Sequence, residues 1–192
     1  MSRKYFLFPF LLLFLANCTP TITTEKSYVV YDIKNIDRTS LEEAVTDKMK
    51  KRVTKIMVNK NIPPKELPKE PTRFDLASFG NSATSVFAAL IPEMPVCPKA
   101  TLTLQATNNS LSKYGRSTSH FACVIPYEEG YTLNYYNSLT ERTGLDPVTL
   151  GAALYYKVTA DDPSREFRIT QEETLEVLIN NGAQVELLES YP

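Results

Sequence analysis

The chain has 192 residues, with 21 basic and 22 acidic side chains, 43% hydrophobic residues, a single histidine and no tryptophan. That balance lacks the clustered basic footprint of a nucleic-acid binder, and one histidine among scattered carboxylates offers no recognisable metal-ligand set. The length fits one domain with a small appendage, and 11 tyrosines beside several short β-branched runs favour a sheet-rich α+β fold over a helical bundle.

Arg3 and Lys4 open the chain, and Tyr5 to Ala16 is almost wholly Phe and Leu, the layout of a secretory signal peptide. Pro9 interrupts this run, which falls short of the roughly 20 apolar residues a spanning helix needs. Residues 1–17 are therefore read as a cleaved leader. It ends Leu15-Ala16-Asn17-Cys18, which resembles the lipobox of bacterial lipoproteins: a leucine, two small residues and a cysteine that receives fatty-acyl chains. Asn17 stands where a smaller residue is usual. The resemblance covers the leader alone and implies that Cys18 becomes the lipidated first residue. It also implies that the folded part is periplasmic and, with Thr19 rather than an aspartate next, that the anchor lies in the bacterial outer membrane. Two or three acyl chains hold a protein to the bilayer essentially permanently, since each buried methylene contributes about 0.8 kcal/mol. Cleavage removes Arg3 and Lys4, leaving 19 basic against 22 acidic residues and a net charge of −3. Cys97 and Cys123 then remain in an oxidising compartment, so a disulfide between them is expected.

Residues 18–26 are polar and Thr-rich and read as the lipidated N-terminus and a tether, with a single domain over 27–192. Ser27 to Ile33 is rich in β-branched and aromatic residues, a strand. Thr39 and Glu42 are spaced as a capping box, and Leu41, Val45, Met49 and Val53 recur at helical spacing, predicting an amphipathic helix over 40–53. Lys55 to Asn59 reads as a second strand, completing an opening β-α-β unit. Four prolines between 62 and 72 (IPPKELPKEPT) permit neither helix nor central strand and predict an extended connector. Ala83, Val86, Phe87, Leu90 and Ile91 define a short helix stopped by Pro92.

From Ala100 the period changes to two. Leu102, Leu104 and Ala106, then Phe121, Cys123 and Ile125, then Tyr131, Leu133 and Tyr135 each alternate with other residues. Glu128-Glu129-Gly130 supplies a hairpin loop with glycine available for positive φ, so an antiparallel meander is predicted. Asp146-Pro147 starts a helix through Val158 that ends at Asp161-Asp162-Pro163. Thr170 and Glu173 cap another, with Leu175, Leu178 and Ile179 on its inner face and Asn181-Gly182 at its end. Gln184 to Leu188 reads as a final strand.

The candidate sites are few. His120 and Cys123 are three apart on a strand, hence on opposite faces, so they do not form a local nucleophilic pair. A hydrolase needs His120 to meet a serine and a carboxylate from distant segments, and no G-x-S-x-G elbow is present. Tyr127, Tyr131, Tyr135 and Tyr136 are either sheet packing or a contact surface, tyrosine offering area at low entropy cost. The expectation is a non-enzymatic accessory or structural component of an envelope assembly, with other envelope proteins as partners, no cofactor, no metal and no nucleic acid. The alternative is a small-ligand or glycan binder.

Overall fold

A computed structural model describes residues 21–77, 94–110, 112, 115–143 and 163–191. The leader with Cys18 and the helices read at 83–91 and 147–158 lie outside these residues. The chain order is β1 (Thr21–Lys34), α1 (Arg38–Lys50), β2 (Lys55–Lys60), β3 (Asp75–Ala77), β4 (Met94–Val96), β5 (Leu102–Asn108), β6 (Arg116–Tyr127), β7 (Gly130–Thr143), α2 (Pro163–Asn180) and β8 (Gln184–Tyr191). Six strands form one sheet in the order β2-β5-β6-β7-β1-β8, and β3 pairs with β4 in a second. Every neighbouring pair is antiparallel, an α+β fold with an antiparallel meander at its centre. β1 and β2 stand four places apart in the sheet and so run in the same direction, with α1 crossing over the meander between them.

The alternation read from the sequence sorts the strands onto two faces. Val29, Leu104, Ala122, Val124, Leu133 and Tyr135 point to one face, where Leu41, Val45 and Met49 of α1 and Phe167 and Leu178 of α2 pack on them. Leu41, Val45, Leu104, Ala122, Leu133 and Leu178 are each 0% exposed. Phe121, Cys123, Ile125 and Tyr136 point to the other face, where Phe74 of the proline-rich connector and Cys97 meet them. The Cys97–Cys123 disulfide is formed, and it stitches the segment after β4 onto the central strand β6.

The connector is extended, as four prolines require. It is pinned at intervals: the Glu128 amide donates to the Pro68 carbonyl at 2.9 Å, the Thr132 hydroxyl to the Thr72 carbonyl at 2.7 Å, and the Phe74 amide to Oδ1 of buried Asn134 at 3.2 Å. Phe74 meets Tyr28 and Tyr136 edge to face at centroid distances of 5.4 and 5.6 Å.

Several boundaries differ from the sequence reading. Residues 21–26 are strand rather than tether, because β7 extends to Thr143 and pairs with β1 from Thr21 onward; exposed, β-branched threonines suit a pleated edge without a core to face. α1 is capped by Asp37, whose Oδ1 accepts the Ser40 amide at 3.0 Å, so Thr39 lies inside the helix. α2 starts at Pro163, not at Thr170. Proline at a helix start costs nothing, and Thr170 is buried mid-helix, its carbonyl accepting the Thr174 hydroxyl at 2.7 Å. Ile179 is 55% exposed, off the buried stripe. Gly182 ends α2 at φ +89°, where its amide bonds to Ile179 and that of Ala183 to Leu178, a Schellman closure. Gly130 is needed not for positive φ but for close approach: a Cβ there would lie 2.5 Å from the Ile33 carbonyl oxygen.

Candidate ligand groove

Among the described residues, the connector, β3 and β4 cover only part of the face opposite the helices. Beyond Pro95, register aligns Met57 with Gln105, Phe121 and Tyr136 in one row and Lys55 with Thr107, Ser119 and Ser138 in the next. These rows and Met94 and Pro95 enclose a half-open groove of about 410 Å³, within the range of small-molecule clefts. Its floor is Phe121 and Tyr136, each 5% exposed, and its apolar lip is Met57 and Met94, 50% and 40% exposed. Hydroxyls and amides from Gln105, Thr107, Asn109, Ser119 and Ser138 line the other side. Among the described residues lining it, which include Ala106 and His120, Lys55 is the only one charged at neutral pH and none is a carboxylate.

The four candidate tyrosines do not form a common surface. Tyr127 is 3% exposed, Tyr135 0% and Tyr136 5%, because helices cover one face of the strand and the connector the other. Only Tyr131 is half-buried. The Tyr127 hydroxyl donates to Asp32 at 2.6 Å; burial, and next the hydrogen bond to Asp32, push its pKa up to about 12. Lys34 sits 5.9 Å over the Tyr127 ring and pairs with Glu129 at 2.8 Å, which marks this corner as a structural clasp. Tyr135 packs edge to face on Phe167 at 6.0 Å, and burial raises its pKa. Of the four, only Tyr136 reaches the groove.

His120 and Cys123 are separated as the strand period requires. Cys123 is in the disulfide on the connector face, whereas the His120 ring stacks on Phe167 of α2 at 5.7 Å and 17°. His120 is 8% exposed, and desolvation lowers its pKa to about 4, so it is a neutral ring sealed beneath the helices. Behind it lies a small cleft lined by Met49, Val53 and Thr170, among others. Nearby, Arg52 and Lys48 hold Glu173 at 2.5 and 3.6 Å, clamping α1 to α2, and Arg52 keeps the Glu173 carboxyl below its usual range.

Among the described residues no group of three or more His, Cys, Asp or Glu side chains is placed to hold a metal ion, and no helix is long and apolar enough to cross a membrane. Comparison with protein-family models, curated proteins and solved structures returns no match to this chain. The groove residues Lys55, Met57, Gln105 and Ser119 carry no sequence motif. They become neighbours only through strand register, and the alternation that places them on one face gives no hint of what covers that face.

Proposed function

We propose that this protein is a non-enzymatic lipoprotein of the outer membrane, held on the periplasmic side by acylated Cys18, that serves an envelope assembly by binding rather than by catalysis. One observation carries this reading: His120 borders the groove, but its ring stacks on Phe167 and the residue is 8% exposed, and the other described groove side chains are thioether, aromatic, amide and hydroxyl groups with one ammonium, which make contacts rather than transfer protons at neutral pH. The Cys97–Cys123 disulfide supports an oxidising compartment.

Intact-mass measurement of membrane-extracted protein tests the anchor. The expected mass is that of the chain from Cys18 with two or three acyl chains, less two daltons for the disulfide. A water-soluble product with residue 18 unmodified overturns it. Affinity capture from detergent-solubilised envelope is expected to retain a partner at stoichiometric level, and its repeated absence counts against the accessory role. Small-ligand binding is a second reading, favoured by the groove itself. A glycan is the weaker ligand, because sugars stack on exposed aromatic faces and both aromatic rings of the floor are almost fully buried.

A further inference from the structure

The groove lies toward one end of the sheet, and the chain dictates which end. β1 begins at Thr21, three residues beyond Cys18, and three residues reach at most about 10 Å. If Cys18 is in the bilayer, the start of β1 and its partner Thr143 at the end of β7 stand against the headgroups. No long tether lifts the domain away. The row that holds Lys55, Thr107, Ser119 and Ser138 continues across the sheet to Lys26, five residues along β1 from Thr21, or about 17 Å at a strand's rise. The floor row of Met57, Phe121 and Tyr136 registers with Tyr28 at the middle of β1, so the groove runs from mid-sheet toward the anchor end.

Its lining narrows the chemistry. Met57 and Met94 form an exposed, flexible thioether lip over a buried aromatic floor, a surface that adapts to a flexible chain. The opposite wall offers neutral hydrogen-bonding groups, and among the described lining residues a single ammonium, Lys55, stands at the margin with no carboxylate to oppose an anion. An apolar trough with one cation at its edge is complementary to a hydrocarbon tail with one negative head.

Building on the binding reading above, we propose that the groove takes a monoanionic amphiphile, a fatty acid or an anionic phospholipid, with its chain along Met57, Met94 and Phe121 and its headgroup at Lys55.

The test uses the whole mature chain with Cys18→Ala, exported behind a cleavable leader so that the acyl group alone is missing, and dansyl-undecanoic acid as the probe. Saturable fluorescence enhancement, displaced by oleate, is expected. Lys55→Glu should weaken binding at least tenfold, the probe's methyl ester should bind both chains equally weakly, and Lys69→Glu on the connector should change nothing. Equal affinity of the Lys55→Glu and unsubstituted chains overturns the headgroup assignment. Displacement by a neutral oligosaccharide such as maltohexaose but not by oleate overturns the ligand class and leaves the groove a binding site. Failure of both to bind, with circular dichroism unchanged, overturns the groove as a site altogether. Native mass spectrometry of the membrane-extracted protein separates the two sources, since an adduct of phospholipid mass marks the bilayer and one of fatty-acid mass a free acid; either supports the proposal.

Discussion

The two faces of the sheet are covered by opposite means. On one, α1 and α2 lie side by side over an aliphatic layer that includes Leu41, Val45, Leu104, Ala122 and Leu178, and each helix satisfies its own backbone. On the other, a proline-rich strand of coil has few internal hydrogen bonds to make and stays down through point attachments: Phe74, three hydrogen bonds to β6–β7 and one disulfide. Regular cover spreads its energy over many equivalent side chains, whereas irregular cover concentrates it in a few. Among the described residues, the groove lies beside this irregular cover, bordered by Met94 and Pro95.

The sharpest way to break this comparison is Phe74→Ala. Phe74 is 1% exposed and packs edge to face on two tyrosines, and removing such a ring costs about 4 kcal/mol. Urea denaturation should show that loss. Hydrogen exchange at the Phe74 and Glu128 amides should speed up far more than at Leu104 or Ala122 if the connector detaches locally. Uniform acceleration would show that the two covers form one cooperative unit.

Next in size is the bridge. Replacing Cys97 and Cys123 together by alanine opens a loop closed over a sequence separation of 26, which loop-closure entropy values at about 3.5 kcal/mol. The oxidised protein and the double variant compared in urea give the number. A loss below 1 kcal/mol would mean that the other attachments already order this segment.

His120 probes the helix side by pH. Its pKa in the folded chain is about 4 against an ordinary 6.5, so between those values the unfolded chain takes up a proton that the folded chain refuses. Stability is therefore full above pH 6.5, falls as pH drops toward 4 and levels off below, a loss of about 3 kcal/mol. Carboxylates held low by cationic or hydrogen-bonding partners, such as Glu173 and Glu189, add their own loss only as the pH nears their unfolded range, so the interval from 6.5 to 5 isolates the histidine. His120→Phe should flatten the urea midpoint across that interval. An unchanged slope would assign it to other groups.

The helix side was the more legible one. Leu41, Val45 and Met49 repeat every four residues, and Leu102, Leu104 and Ala106 every two, because periodic burial writes a periodic pattern. The Cys97–Cys123 pair followed from compartment and count. Aperiodic cover leaves no such trace: Phe74 is an isolated aromatic after a proline run, and nothing local says that it plugs the sheet between Tyr28 and Tyr136. For the same reason the sequence leaves the four tyrosines open between sheet packing and a contact surface, since Tyr135 and Tyr136 alternate correctly but nothing local says that both faces are occupied. The groove was the least legible feature, because Lys55 and Ser138 are brought into one row by three intervening strand registers. Pro163 failed differently, being equally suited to follow one helix or to begin the next.

The smallest effect offers the cleanest test of whether the faces are independent. Asp37→Ala removes the side-chain acceptor for the Ser40 amide at the start of α1, and loss of such a cap costs about 1 kcal/mol. The cap is exposed and touches neither the connector nor the groove, so the damage should stay on the helix side. Amide exchange in α1 is expected to rise severalfold while the Phe74 amide keeps its protection and Lys55 its position at the groove. If the Phe74 amide loosens in step, α1 and the connector are coupled through the sheet between them. Ligand held at the groove should then, by reciprocity, steady the helix on the far side.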